Sequence, residues 1–295
     1  MTLAETIKEI TEIHLKKNDG ILLGQAVTAV GWINGTVPDC ENIVELPMTD
    51  VAGAGFAVGA ALVGRRPIFV LRFQDFIALN GSPIFNYAAK TKELHHVPAP
   101  VFVRSIGTDL AGPVHSGVFH NIAMTYPGIQ VCAPMTPGEY QEVWGAFCAQ
   151  DMPMYVSEHR RGYGIDYEMY DEIEDRADIT LYGILDSRLN VLEAAKKLRT
   201  DGIRVNVSHI NWLKPLNKER LLRPMAHAEC AVVVDSGFEI CGAARSIAYE
   251  IMVVTGKKVF ALGLEDRVKC LSASLCNPTP TAERICEFVE SVIGD

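Results

Sequence analysis

Apolar and polar positions alternate along this chain with two spacings, one typical of helices and one of buried strands. Isoleucines recur every third residue among charged residues near the start, which predicts a helix over residues 4–17. The turn-forming triplet Asn18-Asp19-Gly20 follows, and a short apolar run over residues 21–23 then predicts a buried strand. The chain therefore begins with a helix, a turn and a strand.

The same alternation continues along the rest of the chain. The predicted strands are residues 21–23, 43–46, 67–71, 101–104, 129–133, 154–157, 205–210, 231–235 and 259–262. The predicted helices are residues 4–17, 51–62, 84–94, 137–149, 191–198, 218–225, 241–254 and 282–293. Short apolar strands that alternate with helices are typical of an α/β fold built on a parallel sheet.

The composition changes near the middle of the chain. Residues 163–178 form an acidic, turn-rich stretch with little apolar periodicity, which is typical of a domain boundary. A chain of 295 residues is long enough for about two domains of roughly 150 residues. The sequence therefore predicts two domains, a larger parallel-sheet domain over residues 1–178 and a smaller α/β domain over residues 179–295.

Composition and charge argue against several classes of function. The 27 basic and 36 acidic residues leave a net charge of −9 without a Lys/Arg block, so nucleic-acid binding is not expected. No apolar run reaches the ~18 residues of a membrane span, and the amino terminus lacks the pattern of a signal peptide. The eight cysteines form no CxxC pair, which indicates mostly buried thiols in a reducing cytoplasm.

A glycine-rich segment begins the predicted helix over residues 51–62. The segment Gly53-Ala-Gly55-Phe-Ala-Val-Gly59 superficially suggests a dinucleotide fingerprint, but its spacing is one residue too long, and close helix packing is the better interpretation. Thr49 or Asp50 is predicted to cap this helix. A carboxylate at the carboxyl end of a strand also lies where α/β folds bind cofactors, which leaves a functional role for Asp50 open.

Three further groups of residues follow predicted strands and carry candidate chemistry. The long loop over residues 104–117 contains His115, either an acid-base group or a structural histidine. Phe73 and Phe76 are candidates for the core or for stacking on a planar ring. The run His159-Arg160-Arg161 offers either a grip for an anion or ion pairs with the acidic stretch beyond it. Residue types alone leave these alternatives open.

Nine short segments follow one another along the chain in an order and spacing that carry more information than any one of them. They are Leu22-Leu23-Gly24-Gln25, Met48-Thr49-Asp50 with the segment from Gly55 to Ala61, Arg66-Pro67-Ile68, Phe73-Gln74-Asp75-Phe76, Asn86-Tyr87-Ala88-Ala89-Lys90, Val103-Arg104, Gly112-Pro113-Val114-His115-Ser116, Tyr126-Pro127-Gly128 and Glu158-His159-Arg160-Arg161-Gly162-Tyr163. Together they resemble the beta subunits of thiamine-diphosphate-dependent 2-oxoacid dehydrogenases, relatives of the carboxyl-terminal half of transketolase. The resemblance covers nearly the whole chain.

This resemblance implies a domain that holds the aminopyrimidine ring of thiamine diphosphate, followed by a carboxyl-terminal domain used largely for assembly. In that family the diphosphate and its Mg²⁺ bind a different subunit. This sequence lacks the Gly-Asp-Gly…Asn motif of that subunit, and its nearest fragment, Thr200-Asp201-Gly202, lies in a predicted turn. The resemblance therefore implies an alpha-type partner that carries the motif, an α₂β₂ heterotetramer and a small keto substrate.

The resemblance also implies roles for individual residues. Asp50 would hydrogen-bond a pyrimidine ring nitrogen and favour the imino tautomer of the cofactor. Phe76 would stack on the pyrimidine, with Phe73 beside it. His115 would face the substrate as a hydrogen-bonding or proton-transfer group. Arg104 would help to order the loop that carries His115, at the substrate-binding site.

Two positions depart from the family pattern. Asp50 stands where the family has Glu, so the acid is one methylene shorter and its reach toward the cofactor is in question. Gln25, beside the cofactor, replaces the acid that usually follows Leu-Leu-Gly.

Arg160 is a candidate for holding an anionic group of the substrate, such as a phosphate or sulfonate.

Three functions are compatible with these residues. The first is a beta-type subunit of a heteromeric thiamine-diphosphate enzyme that cleaves a carbon–carbon bond next to a carbonyl, as in 2-oxoacid decarboxylation. The second is half of a split transketolase that moves a two-carbon ketol unit between sugars. The third is a subunit without catalysis that serves assembly or regulation, which the changes at Asp50 and Gln25 would permit.

Overall fold

The computed structural model describes residues 1–29, 33–109, 115–268 and 277–293. Contacts between residues divide the chain into two compact units. The first comprises Met1–Thr108 and Val118–Glu168, and the second comprises Asp109–Gly117 and Met169–Asp295. Each unit has its own parallel sheet with helices, so the expected α/β class is confirmed.

The sheet of the first unit contains six parallel strands in the order β2-β1-β3-β4-β6-β5. Its interior strands are buried along their whole length because neighbouring strands and helices surround them. The strands are β1 (Ile21–Gln25), β2 (Ile43–Leu46), β3 (Pro67–Leu71), β4 (Phe102–Gly107), β5 (Gln130–Cys132) and β6 (Met154–His159). The helices are α1 (Leu3–Lys17), α2 (Val51–Leu62), α3 (Ile77–Ser82), α4 (Ala89–His95), α5 (His120–Met124) and α6 (Pro137–Ala149).

The second unit has a four-stranded parallel sheet in the order β11-β10-β7-β8. Apolar side chains of its inner strands and of the flanking helices α7 and α10 form its core. The strands are β7 (Ala177–Ile184), β8 (Val205–Ile210), the short β9 (Trp212–Lys214), β10 (Ala228–Phe238) and β11 (Lys258–Leu264). The helices are α7 (Ser187–Thr200), α8 (Lys218–Met225), α9 (Ala243–Thr255) and α10 (Ala282–Ile293).

Local sequence explains where most of these elements begin. Thr2 caps α1 with a capping box completed by Glu5, and Thr136 caps α6, whose first residue is Pro137. The predicted helix over residues 84–94 begins earlier than expected, at Ile77. It passes through a π-helical segment, Pro83–Ala88, because a proline supplies no N–H to an α-helical ladder and the wider turn accommodates it.

Expectations about three elements and about the cysteines need correction. Strand β7, which pairs with both β8 and β10, was not predicted, and α5 and β9 were also missed. The thiols are not mostly buried, because only Cys132 and Cys230 are buried among the six described cysteines, all of which are free.

In the ranges that the structure covers, no helix combines the length and apolarity needed to cross a bilayer.

Candidate active site

A narrow cleft lies at the carboxyl edge of the first sheet. Gln25 ends β1 and Leu46 ends β2, while Arg72 directly follows β3, so the parallel strands bring these residues to one edge. This edge is where open α/β sheets bind ligands. The lining residues are Gln25, Leu46, Gly53, Phe69, Val70, Leu71, Arg72, Phe76 and Asn80.

Asp50 lies beside this cleft in an unusual backbone conformation. It occupies the N-cap position of α2 with φ 41° and ψ −103°, a region that an L-residue adopts only under strain. Asp50 is therefore the N-cap residue, one of the two predicted, but its side chain makes no capping hydrogen bond. The Thr49 hydroxyl donates to Pro47 O. The half-buried carboxylate of Asp50 therefore does not serve α2 as a cap.

Gln25 holds the backbone at this strained position. With its amide oriented so that both of its ends are satisfied, the side-chain oxygen accepts from the N–H of Asp50 at 3.1 Å and of Thr49 at 3.2 Å. The Asp50 amide, at the N-cap position, has no acceptor within the helix, whereas the Thr49 amide also donates to Pro47 O at 2.7 Å. A neutral amide therefore positions the chain that carries the carboxylate.

Small residues allow α2 to begin close to the sheet. A Cβ added at Gly53 would stand 3.0 Å from Leu46 Cδ1, so a larger residue would force the helix away from β2. Gly55 and Gly59 have open space around them within this chain. Close packing therefore explains Gly53, whereas the other two glycines lie on the exposed side of the helix.

The turn that follows Gln25 is tied to the end of β2. Glu45 accepts from the backbone N–H of Thr28 at 2.9 Å and from its hydroxyl at 2.8 Å, and it also binds the N–H of Ala26. Partial burial opposes ionisation, but these hydrogen bonds outweigh it and lower the pKa of the Glu45 carboxyl group. A carboxylate in the ionised form therefore closes this turn.

Two aromatic rings stand at the end of β3. The Phe73 and Phe76 ring centroids are 6.1 Å apart at an angle of 55°, and both side chains are half-buried. Buried Gln74 between them donates to Ser157 Oγ at 2.7 Å and to Ser105 O at 3.1 Å, which fixes the turn on the ends of β4 and β6. Asn80 Nδ2 donates to Phe76 O at 3.0 Å. These contacts hold the Phe76 ring in the wall of the cleft.

Two arginines accompany these rings. The guanidinium carbon of Arg72 lies 5.8 Å from the Phe73 centroid and 5.9 Å from the Phe76 centroid, and that of Arg160 lies 5.1 Å from the Phe73 centroid. Burial lowers the pKa of Arg72, Glu45 opposes that change and the charge of Arg160 adds to it. Arg72 was not among the predicted site residues, although it directly follows a strand, where open α/β sheets place their ligand-binding residues.

Arg104 lies away from the cleft, inside the unit, and is fully buried. It donates to both carboxylate oxygens of Glu158, at 2.7 and 2.9 Å, and to the Thr36 hydroxyl at 2.8 Å. Tyr140 and Tyr163 donate to the same carboxylate at 3.0 and 2.7 Å. Burial alone would lower the pKa of Arg104, but Glu158 outweighs it and raises that pKa. Arg104 is thus a charged anchor between β4 and β6.

The structure brings five of the seven predicted site residues to one region of the first unit: Asp50, Gln25, Phe73, Phe76 and Arg160. Arg104 is in the same unit but occupies the buried network. His115 is half-buried and clusters with the second unit, and residues 110–114 of its predicted loop lie outside the described residues. Asp201 and Gly202 form an exposed turn after α7.

Comparisons with known proteins agree with this architecture. Residues 6–165 match the transketolase pyrimidine-binding domain, and residues 171–284 match the transketolase C-terminal domain. The beta subunit of the Cupriavidus necator acetoin:2,6-dichlorophenolindophenol oxidoreductase is 28% identical over 72% of this chain and 67% of its own length. The 2-oxoisovalerate dehydrogenase subunit beta of Bacillus subtilis is 29% identical over 62% of this chain and 61% of its own length.

A solved structure has the same fold. The inactive beta4 tetramer of a split-gene transketolase superposes with a TM-score of 0.78 at 18% sequence identity, covering 100% of this chain and 98% of that one. At this level of identity the similarity concerns the fold alone. The fold is therefore shared by proteins whose sequences have diverged widely.

Proposed function

This chain belongs to the transketolase family, and on that basis we propose that it is the beta-type subunit of a heteromeric thiamine-diphosphate-dependent enzyme that cleaves a carbon–carbon bond next to a carbonyl, as in 2-oxoacid decarboxylation. Relatives named as dehydrogenase beta subunits support this reaction class. The observation that carries the proposal is the carboxylate of Asp50, on a strained turn beside a cleft walled by Phe76 and held there by Gln25.

The residues at the cleft fit the aminopyrimidine half of the cofactor. A site for a flat heteroaromatic ring needs apolar side chains against the face of the ring and a few polar groups at its edge. Leu46 and Phe76 would supply the apolar contact, and Asp50 would supply the polar group. Bound thiamine diphosphate supplies a stabilised carbanion equivalent at its thiazolium carbon. The diphosphate and Mg²⁺ are assigned to a partner subunit, because the matching motif is absent from this sequence.

Asp50 would accept a hydrogen bond from a ring nitrogen of the pyrimidine and hold the proton there. This interaction is charge-assisted, so it depends strongly on distance and direction. Gln25 would set both by fixing the Asp50 backbone. Asp is one methylene shorter than the Glu that the resemblance implies at this position. The position of the Asp50 backbone would therefore compensate for the shorter reach of its side chain toward the pyrimidine.

Three further residues have proposed roles in substrate handling. His115 would act as the acid-base group at the substrate. Arg160 would bind an anionic group of the substrate. Arg104 would serve as a positioning residue, since its ion pair with Glu158 anchors the start of the loop that leads to His115.

The exposed face of α2 supports a partner subunit. Phe56 is 64% exposed and Val63, just beyond the helix, is 81% exposed, while Gly55 and Gly59 leave open space on the same side of α2. An apolar face with glycines allows another helix to approach closely and bury both surfaces. We assign this face to the alpha-type partner, in an α₂β₂ assembly.

Native mass spectrometry tests this proposal. The chain would be measured with thiamine diphosphate and Mg²⁺, alone and with the product of the neighbouring open reading frame. The expected result is a cofactor-loaded heterotetramer that forms only with the partner and turns over a 2-oxoacid. The variant Phe56→Asp should prevent assembly, whereas Tyr170→Asp, at an exposed position of the second unit, should not. Assembly without cofactor or turnover would contradict the proposal and favour a subunit without catalysis.

A further inference from the structure

Two residues at the carboxyl edge of the first sheet share an uncommon backbone conformation. Ala26 directly follows β1 and has φ 54°, and Asp50 lies just beyond β2 and has φ 41°. Residues with a Cβ rarely adopt a positive φ, so each position costs conformational energy that the surrounding structure must offset. Both positions therefore depend on contacts from other parts of the chain.

Each of these two residues has its N–H held by a side chain of the neighbouring strand. The side-chain oxygen of Gln25, at the end of β1, accepts from the N–H of Asp50 at 3.1 Å. The carboxylate of Glu45, in β2, binds the N–H of Ala26 and accepts from the N–H and the hydroxyl of Thr28 at 2.9 and 2.8 Å. The two strands therefore exchange contacts, and each one anchors the turn that follows the other.

The register of the strands explains how these contacts are connected. β1 and β2 are parallel, with Gln25 paired with Leu46 and Glu45 paired with Gly24. Paired residues share a face of the sheet and successive side chains alternate, so Gln25 and Glu45 lie on opposite faces. The backbone connects them, because the N–H of Ala26 belongs to the planar peptide group that begins at Gln25. A hydrogen bond from that N–H to Glu45 therefore also restricts Gln25.

We propose that Glu45 is a positioning residue for Asp50 and acts through Gln25. The inference rests on the proposed function, because it concerns the carboxylate assigned to the pyrimidine ring of the cofactor. Glu45 holds the end of β1, Gln25 holds the backbone of Asp50, and Asp50 presents its carboxylate to the ring. Glu45 contributes to the orientation of Asp50 and not to the chemical step.

A carboxylate suits this role because it has two acceptor oxygens. One oxygen of Glu45 binds Ala26 and the other accepts from Thr28. Glutamine would offer one acceptor oxygen, and alanine would offer none. Glu, Gln and Ala at position 45 therefore form a graded series in which the turn after β1 is held by progressively fewer hydrogen bonds.

Amide hydrogen exchange, resolved by NMR in the full chain without cofactor, is the first test. Glu45→Ala should speed exchange of the Asp50 N–H about fivefold, although the hydrogen bonds of Glu45 go to Ala26 and Thr28. Glu45→Gln should have an intermediate effect. Glu41→Ala is the matched control, because Glu41 is an exposed glutamate of the same connection between β1 and β2. Asp50 exchange that is equal in Glu45→Ala and the unaltered chain would overturn the proposal.

A double variant shows whether the effect passes through Gln25. Gln25→Leu already removes the acceptor of the Asp50 amide, so adding Glu45→Ala should not raise the exchange of that amide further. Increases that multiply in the double variant would show that Glu45 acts by another route, and would overturn the proposal. Thermal denaturation checks that each variant is folded, and Thr28→Val, which removes only the hydroxyl donor, supplies a milder change at the same contact.

Steady-state kinetics of the assembled complex connect this positioning to the reaction. Glu45→Ala should lower kcat for a 2-oxoacid roughly tenfold and leave its KM unchanged, because the orientation of Asp50 changes and substrate binding does not. Glu41→Ala should alter neither constant. Faster Asp50 exchange with an unchanged kcat would contradict the positioning role. Faster Asp50 exchange in a complex that turns over no 2-oxoacid would refute the proposed function and leave the coupling between Glu45 and Asp50 standing.

Discussion

Gln25 holds Asp50 by its backbone: the side-chain oxygen of Gln25 lies 3.1 Å from the amide nitrogen of Asp50 and 3.2 Å from that of Thr49. Where the resemblance implies an acid, position 25 of this chain thus has a neutral acceptor that binds the backbone. A carboxylate there would place a second negative charge beside Asp50. The amide supplies the same acceptor oxygen without that charge.

Replacing Gln25 tests this relationship. Gln25→Leu removes the acceptor of the Asp50 amide, a hydrogen bond worth about 0.5–1.5 kcal/mol, and leaves the Thr49 amide only Pro47 O, so Asp50 loses its fixed position. We expect turnover to fall roughly 10–100-fold, with faster hydrogen exchange at the amides of Thr49 and Asp50. Gln25→Glu keeps the acceptor and should retain slow exchange. Equal exchange rates in both variants would show that Gln25 does not hold this turn.

The backbone strain at Asp50 predicts a separation of stability from activity. Asp50→Ala and Asp50→Gly both remove the carboxylate, and both should abolish thiamine-dependent turnover. Only glycine tolerates φ 41° without cost, so Asp50→Gly should be about 1 kcal/mol more stable than Asp50→Ala in thermal denaturation. Asp50→Glu should retain measurable turnover. An Ala variant as stable as the Gly variant would show that the turn relaxes.

The buried pair of Arg104 and Glu158 predicts a large loss of stability. Glu158→Gln leaves the guanidinium group buried without its counter-charge, which costs about 3–5 kcal/mol. Urea denaturation should therefore show a clearly lower midpoint. The control is Asp178→Asn, since the Arg204–Asp178 pair is partly exposed and its loss should cost below about 1 kcal/mol. Similar midpoints for both variants would contradict the assigned role.

His209 predicts a pH dependence of folding in the second unit. Burial and the charge of Arg188 lower the pKa of His209 to about 3, with Asp171 opposing the change and Arg220 adding to it. The unfolded chain takes up a proton near pH 6.5 and the folded chain does not, so stability falls as the pH drops from 6.5 toward 3. The slope from this residue is at most about 1.4 kcal/mol per pH unit.

Denaturation of His209→Gln between pH 7 and pH 4 checks this expectation. The variant has no imidazole to protonate, so its stability should change less steeply with pH than that of the unaltered chain. His95→Gln provides the control, because His95 is exposed at the end of α4. A slope that is the same with and without His209 would show that another group controls the acid sensitivity.

Strong local patterns along the sequence determined much of the fold. The bounds of α2, β2, β3, α6, β8, α8 and α10 coincide with those predicted, because each element has clear periodicity, a turn or a cap at its ends. Strand β7 was missed because ADITLYGI follows the acidic stretch and mixes polar with apolar residues. Its identity as a strand depends on pairing with β8 and β10, which are distant in sequence.

For the candidate site, the sequence by itself determined which residue types follow the strands, and the family resemblance assigned them roles. Only the tertiary structure decided which of these residues meet. Asp50 is strained and held by Gln25, Arg72 joins Arg160 on Phe73, and Arg104 is tied to Glu158. The physical reason is that helix and strand signals act within a few residues, whereas these contacts join side chains from different strands. Their distances follow from the order and register of the sheet.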